Sequence, residues 1–122
     1  MPPKKVNDIC EIVKSAANAA LEKKAEDVVI LDLRNICDFT DFFIICTGST
    51  ARHLSVIVDS IEEKLSSLGI KKDHLEGYPN SDWILADFSD LIVHVFTDEK
   101  REFYELEHLW GDAPRLDVVS EN

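Results

Sequence analysis

The chain has 122 residues, 45% hydrophobic and 30% charged, which suits one globular domain able to bury a core. A formal charge of −11 disfavours phosphate backbones and anionic membrane surfaces, both of which are bound through Lys and Arg, and is compatible with a basic protein partner. Cys10, Cys37 and Cys46 are odd in number and lack CxxC spacing, so neither a disulfide framework nor a zinc site is implied, and no apolar run approaches bilayer length.

Residues 1–6 read as a flexible N-terminus without a signal segment, since Met1-Pro2-Pro3-Lys4-Lys5 leads directly into a polar helix. Asn7 or Asp8 supplies an N-cap, and Ile9, Val13, Ala16, Ala20 and Leu21 form the apolar stripe that follows. The Ala16-Ala17 and Ala19-Ala20 pairs permit close packing against a sheet. Asp27 to Leu33 reads as a strand, Asn35 to Asp41 as a loop, and Phe42 to Thr47 as a strand too uniformly apolar to be half-exposed. Cys46, inside that strand, reads as a small buried hydrophobe. Gly48-Ser49 turns the chain, and Ser49 or Thr50 caps a helix striped by Leu54, Ile57, Val58, Ile61, Leu65 and Leu68. Gly69 ends that helix at the position where a left-handed residue is needed. Lys71 to Asp82 is a polar connection with a short strand near Leu75.

A hairpin comes next. Trp83 to Phe88 alternates, Ser89-Asp90 supplies the turn, and Leu91 to Phe96 returns. With a two-residue turn, Leu85 lies opposite His94 and Asp87 opposite Ile92. One face then carries Ile84, Ala86, Phe88, Leu91, Val93 and Val95, a core set. The other carries Trp83, Leu85, Asp87, Ile92, His94 and Phe96, a mixture that suits contact with something other than water or core. Asp98 caps a last helix to Trp110, where Phe103, Leu106 and Trp110 keep core spacing and Arg101, Tyr104 and His108 recur on an adjacent face. From Gly111 onward the chain reads as a loosely ordered tail.

The order α-β-β-α-β-β-α predicts a single α/β domain with a mixed sheet and its helices mainly on one face. The hairpin face bearing Trp83, Asp87 and His94 is then expected to be partly open. Catalytic readings fail on particular residues. Gly48-Ser49 between a strand and a helix resembles the phosphate-cradling turn of nucleotidyltransferases, but those enzymes need paired carboxylates on a following strand to hold metal. Here Asp59 falls inside the helix, and Asp87 and Asp90 are separated by a turn. His53, His74 and His108 have no evident nucleophile, and Asp87 and His94, within diagonal reach, have no third metal ligand. Nucleotide binding or nucleotidyl transfer at the Gly48-Ser49 turn stands as the alternative function.

The segments Asp38-Phe39-Thr40-Asp41, Phe42-Phe43-Ile44-Ile45-Cys46-Thr47-Gly48-Ser49 and Arg52-His53 resemble those of the ribosomal silencing factors, also called the Iojap family. So do Glu76-Gly77, Ser81-Asp82-Trp83-Ile84-Leu85-Ala86-Asp87, Ile92-Val93-His94-Val95-Phe96 and Tyr104-Glu105-Leu106-Glu107-His108-Leu109-Trp110. The resemblance runs in order from about Asn7 to Trp110, giving a 7–110 domain followed by a 111–122 tail. It implies a nucleotidyltransferase-like fold without catalytic carboxylates, and a translational repressor that is not an enzyme and needs no cofactor or metal. It further implies binding to the large ribosomal subunit through ribosomal protein fourteen, which blocks joining of the small subunit, with a homodimer possible off the ribosome. No direct nucleic-acid contact is expected. Organellar members of the family take part in large-subunit biogenesis. The absence of a transit peptide in the sequence favours the bacterial cytoplasm. By this resemblance the partner-binding positions are Trp83 and its hairpin neighbours Leu85, Asp87, Phe88 and His94, with Arg101 and Tyr104 on the last helix.

Overall fold

The structure, a computed structural model, describes residues 9–36, 38–99 and 113–116. Within them the chain runs α1 (Ile9–Glu22), β1 (Glu26–Asp32), β2 (Phe42–Gly48), α2 (Ala51–Ser67), β3 (His74–Glu76), β4 (Trp83–Asp87), β5 (Leu91–Thr97) and β6 (Arg115–Leu116). The expected caps Asn7 and Asp8, and the last helix from Lys100 with Arg101, Tyr104 and His108, lie outside the described residues.

The strands form one mixed sheet in the order β3-β4-β5-β2-β1-β6. Every pairing is antiparallel except β2 with β5, which run parallel and form the centre. The uniformly apolar sequence of β2 follows from this position, because all its residues are buried. Ile44 and Cys46 join one core with Ile30, Ile84, Val93 and Val95, and on that side lie α1 and α2. The alanines of α1, Ala16, Ala17, Ala19 and Ala20, are all buried and let the helix approach closely.

Helix α2 is bounded as its sequence requires. Thr50 has extended backbone and accepts the His53 N–H at 3.0 Å, satisfying one of the first-turn donors. At the other end Gly69, at φ +85°, allows Ile70 N–H to reach Leu65 O and Gly69 N–H to reach Ser66 O. Leu54, Ile57, Val58, Ile61 and Leu65 are buried as the stripe predicts. Leu68 departs from it and is 41% exposed, because it is the C-cap and has already left helical geometry.

Four residues of the 111–122 segment are described and join the sheet: β6 pairs with β1, Asp32 N–H donates to Pro114 O at 2.8 Å, and Ala113 is buried. The second face of the sheet, expected to be partly open, has a core of its own. Leu31, Leu33, Phe43, Ile45, Ile92, Phe96 and Ala113 form a second buried cluster there, with Val29, Trp83 and Leu85 half-buried against it.

Candidate functional site

The hairpin register is the one its turn dictates. Trp83 pairs with Phe96, Leu85 with His94 and Asp87 with Ile92. Ser89 closes the turn at φ +78°, and its N–H donates to Asp87 Oδ1 at 2.7 Å, a short-range contact that holds the left-handed residue in place. Because β5 also pairs with β2, the second face becomes a lattice three strands wide. Asp87, Ile92 and Phe43 make its first row, Leu85, His94 and Ile45 the next, and Trp83, Phe96 and Thr47 the last.

Exposure across this lattice follows strand order. The β4 residues Trp83, Leu85 and Asp87 are half-exposed, whereas Ile92, His94 and Phe96 on the interior strand β5 are buried. His94, expected on the open face, is only 5% exposed and is shielded by rings on both sides. Phe43 meets it edge-on at 4.7 Å, and Trp83 and Phe96 stack alongside at 6.0 Å each. Trp83 also stacks on Phe96 at 5.2 Å. The indole Nε1–H donates to His94 Nδ1 at 3.2 Å. An accepting Nδ1 carries no proton, so the ring is neutral with its proton on Nε2, and burial pushes its pKa down to about 4.

His94 and Asp87, which share a face, do not pair: the histidine takes Trp83 and the aspartate takes the Ser89 amide. Phe88, another position expected at the partner contact, lies on the opposite face from Trp83. Alternation along β4 carries it to the side of Ile84 and Ala86, and it lies in the helix-side core at 4% exposure. Two neighbours that enter the sequence reading only as motif residues have structural roles here. Gly77, at φ +80°, sits so close to β4 that a Cβ there would fall 2.2 Å from Trp83 O. Phe39, 63% exposed, extends the aromatic run to the surface through Phe43 at 6.4 Å.

The Gly48-Ser49 turn is occupied from within. Ser49 N–H donates to His53 Nδ1 at 2.8 Å, and His53 Nε2–H donates to Lys23 O at 2.7 Å, so one ring clasps two turns. A Cβ on Gly48 would lie 2.6 Å from Leu54 Cδ2, so a larger residue there would crowd the packing of α2. Asp59 accepts the Tyr78 hydroxyl proton at 2.9 Å on the exposed side of α2. Among the described residues, no three His, Cys, Asp or Glu side chains come together as a metal site, and no helix is long and apolar enough to cross a membrane.

Comparison with known proteins gives concordant matches. Residues 6–122 match the family model described as ribosomal silencing factor during starvation. The ribosomal silencing factor RsfS of Halalkalibacterium halodurans is 40% identical over 108 residues, spanning 88% of this chain and 92% of that protein. Its counterpart in Bacillus subtilis is 39% identical over 107 residues, spanning 88% and 91%. A crystal structure of a Chromobacterium violaceum protein superposes with a TM-score of 0.81 at 30% identity, covering 92% of this chain and 93% of that one.

Proposed function

The chain belongs to the ribosomal silencing factor family, and we propose that it represses translation by occupancy alone, in the bacterial cytoplasm. It docks on the large ribosomal subunit through ribosomal protein fourteen and sterically prevents the small subunit from joining. The observation that carries this reading is the half-exposed edge of Trp83, Leu85 and Asp87, mounted on β4 and backed by buried His94 and Phe96. A rigid aromatic edge beside a carboxylate suits a basic protein surface, and the −11 charge would speed encounter with one. Arg101 and Tyr104 are proposed to extend the contact. A homodimer off the ribosome would compete with docking if it used the same edge.

The nucleotide alternative is the weaker reading, because Ser49 N–H, a backbone donor at the head of α2 that such a turn would offer to a phosphate, already serves His53.

The test adds purified protein to free large and small subunits without nucleotide and reads subunit joining on a sucrose gradient. Inhibition should be stoichiometric with large subunits. Trp83→Ala should weaken large-subunit binding by about thirtyfold, the loss of a ~2 kcal/mol anchor, while the variant stays folded at the assay temperature. A requirement for ATP, inhibition at substoichiometric protein, or wild-type binding by a folded Trp83→Ala would overturn the reading.

A further inference from the structure

His94 is an expensive residue in its place. It is 5% exposed, and its Nε2, the nitrogen left with the proton, has no hydrogen-bond partner among the described residues. Buried polar groups are nearly always paired, and an orphaned donor calls for an explanation. A phenylalanine would fill similar volume, keep the edge-on contact with Phe43 and the stacking on Phe96, and bury no unmatched N–H. What only the imidazole brings is an acceptor at Nδ1, aimed at the indole N–H of Trp83.

We propose that His94 is a positioning residue for the partner contact: its neutral ring, buried beside Trp83, accepts the indole N–H and presets the orientation in which Trp83 meets the ribosomal surface. The inference rests on the reading of Trp83 as an anchor given above. A half-exposed indole held only by stacking keeps other rotamers, and docking would have to select one of them. Engagement of its single polar atom removes that freedom beforehand, which is how preorganisation raises affinity. It also fixes the character of what is presented. With Nε1 turned to His94, the part of the ring left for a partner is apolar and π-rich, suited to the stem or charge of an Arg or Lys.

The experiment uses the full chain and three variants: Trp83→Ala, His94→Phe and His94→Asn. The phenylalanine keeps an aromatic ring but has no acceptor, while the asparagine places a carbonyl oxygen near the position of Nδ1. Three quantities are read: affinity for purified large subunits, melting temperature, and the proton shift of the Trp83 indole N–H in a nitrogen-15 correlation spectrum, its resonance being identified by its loss in Trp83→Ala. His94→Phe is expected to melt close to wild type, to move the indole N–H resonance upfield, and to bind roughly three- to tenfold more weakly, the value of one hydrogen bond. His94→Asn is expected to recover the downfield shift and part of the affinity despite a lower melting temperature.

If His94→Phe binds as wild type, if its indole resonance does not move, or if affinity across the set follows melting temperature alone, the positioning role is wrong. If instead Trp83→Ala binds as wild type, the anchor reading itself has failed. Trp83→Ala weak with His94→Phe normal removes only this inference.

Discussion

Acidification should destabilise the fold through His94. An unfolded chain exposes this ring with an ordinary value of 6.5, whereas the folded protein holds it at about 4. The unfolded state therefore binds more protons between those limits, and stability falls as pH is lowered through them. The stabilisation is fully present above pH 6.5 and lost by about pH 4. Integrating the proton uptake gives a loss of about 2 kcal/mol between pH 7 and pH 4.5, and about 3 kcal/mol if acidification continues below the folded value. The burial that sets this value comes from β4 and β2, where Trp83, Leu85, Phe43 and Ile45 lie against or beside the ring and none titrates in this range. Asp87, one row away, is committed to the Ser89 amide. The Arg34 hydrogen bond holds the Asp32 carboxyl below its ordinary value of 3.8, so its stabilisation is lost only at still lower pH. Urea unfolding of wild type and His94→Phe at pH 7 and pH 4.5 separates the histidine from every other group. The phenylalanine variant should lose about 2 kcal/mol less over the same interval. Equal losses in the two proteins would show that the ring is not held neutral by burial.

Gly77→Ala should cost about 2–3 kcal/mol, since it forces a left-handed residue to carry a Cβ and drives that carbon against Trp83 O; a thermal melt unchanged from wild type would refute this. Gly48→Ala should lose about 1–3 kcal/mol through overpacking against Leu54 and Ile57 without creating or abolishing ATP binding, as read by melting with and without magnesium and nucleotide. Thr50→Ala should lose about 1 kcal/mol by leaving the His53 amide uncapped, and a variant as stable as wild type in urea would contradict the capping role.

The local features were legible from sequence because they are set locally. A two-residue turn fixes which hairpin residues face each other, and Gly69 and the Thr50 cap announce the ends of α2. Burial on the second face was not legible, because it depends on β5 lying between β4 and β2, a neighbour far off in sequence. His94 and Asp87 look alike in the alternation, yet strand order buries one and leaves the other at the edge of the hairpin. β6 escaped for a different reason: two residues are too short to show a period, and their pairing with Ile30 and Leu31 is a tertiary event. The clasp of His53 on Lys23 O is hidden likewise, since nothing near His53 in the chain points to a carbonyl 30 residues earlier.

Among the described residues the sheet ends in a strand of three residues on one side, β3, and a strand of two on the other, β6. Among the described residues neither border strand presents a long row of backbone groups to a strand from another molecule, and β3 carries an exposed His74–Glu76 contact along its length. Fibrils grow by borrowing such borders, so a chain this rich in β-branched and aromatic residues at its centre gains protection from the shortness of its margins. The stoichiometric docking proposed above calls for a protein that can accumulate without open-ended strand addition. Short border strands are compatible with a hydrophobic interior strand system at the concentrations that such docking would demand.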